Sequence, residues 1–155
     1  MTHINDHIKI ILIVCFSLFF LNAQACISKA PQNVPTGLAD EGARWIEQGN
    51  ELFTAGRYQE AIDALTRAVE LNPLDASVYL LRGTSYYNLR RYNQTLNDFN
   101  RAIELNPQEP SGYYCRALAY DSLGNHNQAL KDMKLAARRG FKPAQDFLKD
   151  KDVKW

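Results

Sequence analysis

Glu60 to Pro73 reads EAIDALTRAVELNP, and further on Gln94 to Pro107 reads QTLNDFNRAIELNP, with six identical residues and several conservative pairs among the rest. Laying the chain against itself at that offset, Glu60 upon Gln94, makes a third copy visible. Gly49, Gly83 and Ala117 fall in one column, Ala61, Thr95 and Ala129 in another, and Ala68, Ala102 and Ala136 in a third. Large residues share other columns: Trp45, Tyr79 and Tyr113; Leu52, Tyr86 and Tyr120; Tyr58, Tyr92 and His126; Leu65, Phe99 and Met133.

These columns are spaced by threes, fours and sevens, which is the period of one helix face. Gly56, Arg90-Arg91 and Gly124 fall between the runs, and the Asn-Pro pairs at 72–73 and 106–107 close two of them. Each unit therefore predicts two helices joined by a tight turn. A pair so short cannot bury its apolar face alone, so the pairs must stack, with large residues as knobs and the small columns of a neighbouring pair as holes. The echo exists because the packing problem recurs. Added methylenes in a small column would cost roughly 1 to 3 kcal/mol per site.

The run Trp45, Gly49, Leu52, Tyr58, Ala61, Leu65, Ala68 and Pro73, with its echoes from Tyr79 to Pro107 and from Tyr113 to Ala136, resembles the tetratricopeptide repeat. The resemblance covers residues 42–141, as repeats 42–75, 76–109 and 110–141, in one register without an insertion. It implies an all-α fold, a right-handed α-α superhelix of three helix pairs whose first helices line a concave groove that binds peptides or partner helices. The departures are Thr95 for the usual alanine, His126 for an aromatic, and Arg138-Arg139-Gly140-Phe141 where a proline turn would close the third repeat. Residues 142–155 read as a capping helix and tail, with Ala144, Phe147 and Leu148 on one face and charges on the other.

The resemblance puts Ile46, Asn50, Phe53 and Thr54, then Leu80, Thr84, Tyr87 and Asn88, then Tyr114, Leu118, Asp121 and Ser122 on the groove. This lining is apolar and aromatic with a few amides and hydroxyls, and it implies an amphipathic helix or extended apolar segment of a protein as ligand. Rigid anchors such as Tyr87 and Tyr114 would supply ~2 kcal/mol each. Some relatives clamp a C-terminal carboxylate; at the matching positions this chain has Ile46, Asn50, Leu81, Ser111 and Cys115, of which only Asn50 fits.

Residues 1–25 follow other rules. Ile10 to Leu21 is a twelve-residue apolar run after Lys9 and before Ala23-Gln24-Ala25, the pattern of a signal peptide over 1–25. A membrane span needs ~20 apolar residues. Cleavage after Ala25 leaves Cys26 first, followed by a Pro- and Gly-containing tether over 26–41, with a coil length of ~20 Å. Here the chain resembles a bacterial lipoprotein precursor, in which such a cysteine carries the lipid. Ala-x-Ala equally suits ordinary cleavage. The expected location is thus exported, periplasmic or lipid-anchored to a bacterial membrane, with a signal-anchored or secreted protein as the alternative.

Charge and reactive groups narrow the function. The 155 residues carry 18 basic and 17 acidic side chains, too even for a nucleic-acid surface. Arg90-Arg91 and Arg138-Arg139 read as solvated helix ends. Cys15 lies in the signal segment and Cys26 is the candidate lipid site, which leaves Cys115 outside any disulfide framework, short of a Cys26–Cys115 bridge. Cys115 and His126 stand eleven residues apart, ~15 Å along a helix, so they form no dyad there. No His or Cys pair has metal-ligand spacing, and no glycine-rich phosphate loop occurs, so no metal and no cofactor is expected. Glu109, Asp121 and Asp132 read as solvated charges, and His126 as a member of a packing column. The sequence therefore points to a non-enzymatic adaptor that binds a peptide or helix of an envelope protein, or alternatively to a structural module that assembles with its own copies.

Overall fold

The computed structural model describes residues 36–155, and seven helices follow one another through them: α1 (Thr36–Thr54), α2 (Tyr58–Leu71), α3 (Ala76–Asn88), α4 (Tyr92–Leu105), α5 (Pro110–Ser122), α6 (His126–Arg138) and α7 (Lys142–Asp150). Each packs on the next in sequence, and α1 and α5 also touch α3, so the first helices of successive pairs lie side by side. This is the expected all-α solenoid of three helix pairs with a closing helix. The signal segment, Cys26 and most of the tether lie outside the described residues. The tether is shorter than expected, because α1 starts at Thr36 and takes in residues 36–41. After Pro35 no proline stands in the way of helix until Pro73.

The turns repeat as faithfully as the helices. Gly56, Arg90 and Gly124 all adopt left-handed backbone, with φ of 74°, 57° and 77°. At each, the following N–H reaches back to the fifth preceding carbonyl: Arg57 to Leu52 (2.9 Å), Arg91 to Tyr86 (2.9 Å) and Asn125 to Tyr120 (2.8 Å). That geometry satisfies carbonyls which the helix end would leave open. The second helices stop differently. Asn72 and Asn106 precede prolines, whose rings exclude α backbone at the residue before, and both asparagines are extended, with φ near −137° and −138°. The Tyr79 and Tyr113 hydroxyls then donate to the carbonyls of Pro73 (3.2 Å) and Pro107 (3.1 Å), fixing these loops to the next helix. Asp75 caps α3 and Glu109 caps α5 by accepting from the Ser77 and Ser111 N–H groups.

In the glycine column, knob and hole meet inside the first and second pairs, where the expectation above put them between pairs. A Cβ added to Gly49 would stand 2.6 Å from Leu65 Cγ, and one added to Gly83 would stand 2.7 Å from Phe99 Cε1. The glycine of the first helix is the seat of the large residue on the second. Between pairs, a Cβ on Gly112 would meet Ile103 Cγ1 at 2.9 Å. At the far end α7 buries Ala144 and Leu148, one helical turn apart, while Phe147 stays 44% exposed. Phe147 does not share their face, since one residue rotates it by ~100°.

Candidate functional site

The first helices α1, α3 and α5 present four aligned columns, and the structure sorts their members by exposure. Ile46, Asn50, Phe53, Leu80, Thr84, Tyr87, Asn88 and Leu118 are half-buried, while Thr54, Asp121 and Ser122 are exposed. Tyr114 differs. It is only 2% exposed, and its ring packs against Phe141 at 5.0 Å between centroids. The segment entering α7 thus covers the third member of the Ile46, Leu80, Tyr114 column. Sequence reasoning missed this because Phe141 belongs to the non-repeating end of the array.

Hydrogen bonds decide what the polar members can still offer. Thr84 Oγ1 donates to the Leu80 carbonyl (2.7 Å), Asn88 Nδ2 to the Thr84 carbonyl (2.9 Å), and Ser122 Oγ to the Leu118 carbonyl (2.9 Å). Each spends a donor on its own helix, one turn back, and the Asn88 amide keeps a second N–H. Tyr87 Oη and Ser122 Oγ stand 2.8 Å apart and tie α3 to α5. Asn50 Oδ1 is buried and has no hydrogen-bond partner among the described residues.

One further column runs through the turns. Phe53 meets Tyr58 edge-on at 5.5 Å, and Tyr87 meets Tyr92 at 5.8 Å. In the third repeat the same two positions hold Asp121 and His126, with Nδ1 2.8 Å from Oδ1 and the His126 side chain 75% exposed. His126 is thus no packing residue, because its partner across the turn is a carboxylate rather than a ring. Cys115 lies buried within α5, and α5 ends at Ser122, so the two residues sit on separate helices and His126 turns to Asp121.

Of the acidic residues read as solvated, Asp121 is exposed as expected, whereas Asp132 is corrected. Asp132 is buried and pairs bidentately with Arg116, at 2.7 and 2.9 Å; Arg116 further donates to Asn100 Oδ1 at 2.7 Å. Arg82 does the same one repeat earlier, with Asp98 at 2.8 and 2.8 Å and Thr66 at 3.2 Å. Each arginine joins its own pair to the second helix of the pair before. The Asp132 hydrogen bond holds the Arg116 guanidinium above its ordinary range; burial pulls Arg82 down, and Asp98 together with Tyr86 and Tyr79 more than offsets it. The signal was present as Arg and Asp sixteen residues apart in two successive repeats. Arg139, read as a solvated end, instead lies over the Tyr113 ring at 4.7 Å. Among the described residues no three of His, Cys, Asp and Glu converge as metal ligands, and no helix is long and apolar enough to cross a membrane.

Comparison with known proteins follows the geometry. Two tetratricopeptide repeat models match residues 46–110 and 99–131, together more than half of the chain. No curated protein sequence matches. Among solved structures, the first repeat domain of Spaghetti (RPAP3) bound to the HSP90 peptide SRMEEVD is 26% identical, covers 72% of this chain and 90% of that one, and has a TM-score of 0.66. The TPR2B domain of yeast Sti1, in its pHsp70 complex, is 25% identical over 64% of this chain and 79% of that one, at 0.63. MamA is 28% identical over 68% of this chain and 61% of that one, also at 0.63.

Proposed function

We propose that this chain, which belongs to the tetratricopeptide repeat family, is a non-enzymatic adaptor that binds a helix or extended segment of another protein along α1, α3 and α5. The observation that carries this is the half-buried row Ile46, Phe53, Leu80, Tyr87 and Leu118 on the three first helices, apolar side chains that the core leaves partly open. Half-exposed aromatics and aliphatics in one line are the anchors a peptide needs. Two of the similar structures carry chaperone ligands in this fold, one of them the acid-rich peptide SRMEEVD. The same ligand chemistry does not suit this groove. The Thr84 hydroxyl and one N–H of the Asn88 amide are committed to their own helix, no lysine or arginine stands in the row, and Asp121 would repel a carboxylate. A neutral or basic apolar segment fits better.

The place of action in this proposal is the bacterial envelope, and it rests on the apolar run at Ile10–Leu21 and on Cys26 behind Ala25. Lipid on Cys26 would hold the solenoid at a membrane surface. Changing Cys26→Ser should move the protein from the membrane to the soluble fraction; an unchanged membrane fraction would remove the lipid. The groove is tested by Ile46→Lys with Leu118→Lys, which should keep helical content while partner capture falls at least tenfold. Unchanged capture by a folded variant would refute it.

A further inference from the structure

Charge along the solenoid is sorted by position in a way the near-neutral total conceals. Residues 36–71 hold seven acidic and three basic side chains, residues 72–125 five of each, and residues 126–155 eight basic and four acidic. The described chain runs from net −4 through zero to net +4. The charges at both ends are on the surface and open. Glu47, Glu51 and Asp63 at the first pair, and Lys131, Arg138, Lys149, Lys151 and Lys154 at the last, are exposed and have no ion-pair partner among the described residues.

The acidic end carries an unfinished packing face. In the second and third pairs, Tyr79, Arg82 and Tyr86 and then Tyr113, Arg116 and Tyr120 stand in the register that meets the pair before, as the reach of Arg82 to Thr66 and of Arg116 to Asn100 shows. The same register in the first pair is Trp45, Gln48 and Leu52, and no helix pair precedes it among the described residues. Trp45, Gln48 and Leu52 instead line an open depression of about 380 Å³ whose rim holds Arg57, Glu60, Asp63 and Arg67. Arg57 and Arg67 are paired with Glu60 and Glu70, which leaves Asp63 as the charge on that rim without an ion-pair partner among the described residues. At the basic end, Phe147 and Trp155 are 44% and 41% exposed, and the chain between them carries Lys149, Lys151 and Lys154 with Asp150 and Asp152 interspersed, all exposed.

We infer that the chain stacks head to tail with a second copy of itself, the basic, aromatic C-terminal end of one copy seating on the acidic Trp45–Leu52 face of the next. Both halves of the interface are on one chain, in end segments of opposite net charge that each carry exposed or half-buried aromatic groups, and a self-association of this kind is heterologous, so it extends beyond a pair. The first helices of stacked copies would then continue one groove into the next. This rests on the end faces and is independent of what the groove binds.

The test uses two differently tagged forms of the full chain, co-expressed and co-purified in nonionic detergent. Wild-type copies should co-purify at low salt and about tenfold less at 0.5 M salt, where the screening length shrinks to a few ångströms. A head variant (Glu47→Lys, Glu51→Lys, Asp63→Lys) should lose its own partner, as should a tail variant (Lys149→Glu, Lys151→Glu, Lys154→Glu). Mixing head with tail variants should restore co-purification, because the head variant keeps a basic tail and the tail variant an acidic face. Circular dichroism of each confirms that exposed substitutions leave the helices intact. Wild-type copies that stay apart at low salt, whether because residues 1–35 cover the face or because the basic end prefers an anionic lipid surface, would overturn the inference. So would association indifferent to the reversals.

Discussion

The Tyr114 ring is held 5.0 Å from the Phe141 ring, tilted by 53°, so the last residue before α7 closes the C-terminal end of the row that Ile46 and Leu80 begin. The open part of the groove is therefore the stretch along α1, α3 and the Leu118 end of α5. Phe141→Ala should lower unfolding free energy by roughly 2 kcal/mol, since the side chain is half-buried and leaves a gap above Tyr114. Urea unfolding measures it. A loss no larger than an ordinary surface substitution gives, about 0.5 kcal/mol, would mean that α7 does not depend on this contact.

Gly83 tests the seat of Phe99. Gly83→Ala puts a Cβ 2.7 Å from the Phe99 ring and 3.1 Å from Asp98 Cβ, so it should destabilise by about 2 kcal/mol. Phe99→Leu added to Gly83→Ala should cost less than the sum of the two single changes, because the smaller side chain vacates the ring position. Strict additivity in the double-mutant cycle would contradict the direct contact.

Arg90 is the non-glycine member of a left-handed column whose other members are Gly56 and Gly124. Arg90→Gly relieves that backbone, and the gain of ~1 kcal/mol is partly offset by the freer unfolded chain. The net change should be near zero or stabilising. Gly124→Ala, at φ 77°, should destabilise by about 1 kcal/mol. Thermal melts of both variants compare two members of the same column.

The Arg116–Asp132 pair should be costly to halve and cheap to remove. Asp132→Ala leaves the largely buried Arg116 guanidinium without its bidentate partner, and a loss of roughly 2 to 3 kcal/mol is expected after allowing for its 20% exposure. Arg116→Met with Asp132→Leu should recover at least half of it. Equal losses in the single and double variants would show that the pair itself, not the orphaned charge, stabilises the junction.

Burial pushes the Tyr87 phenol above its ordinary value near 10, and the Ser122 hydrogen bond only partly opposes this. A group whose folded value is raised contributes stability that is intact below the unfolded value and lost as pH climbs through the folded one. Stability should thus fall above about pH 10, and Tyr87→Phe should flatten that part of the profile relative to wild type. Parallel profiles would mean that Tyr87 ionises alike in both states.

What repeats was legible in the sequence, and what happens once was not. The repeat columns gave the helices, their turns and the row from Ile46 to Leu118, because each small or large residue answers the same packing demand three times. The covering of Tyr114 by Phe141 and the exposure of Phe147 depend on the single closing helix, which has no echo to compare. His126 misled because its column is aromatic twice; its partner across the turn changes with it, from Phe53 and Tyr87 to Asp121, and only both columns together reveal the exchange. The buried arginine junctions were repeated and yet missed, since charge in a soluble helix is ordinarily solvated. Their sixteen-residue Arg-to-Asp spacing was the available sign.

The most direct measurement is photo-crosslinking in living cells from an unnatural residue at Thr84, in the open middle of the groove, with Gln94 on the exposed side of α4 as control. The adaptor predicts a discrete foreign protein attached at position 84 and absent at position 94. No adduct at 84, or the same adducts at both positions, would contradict it.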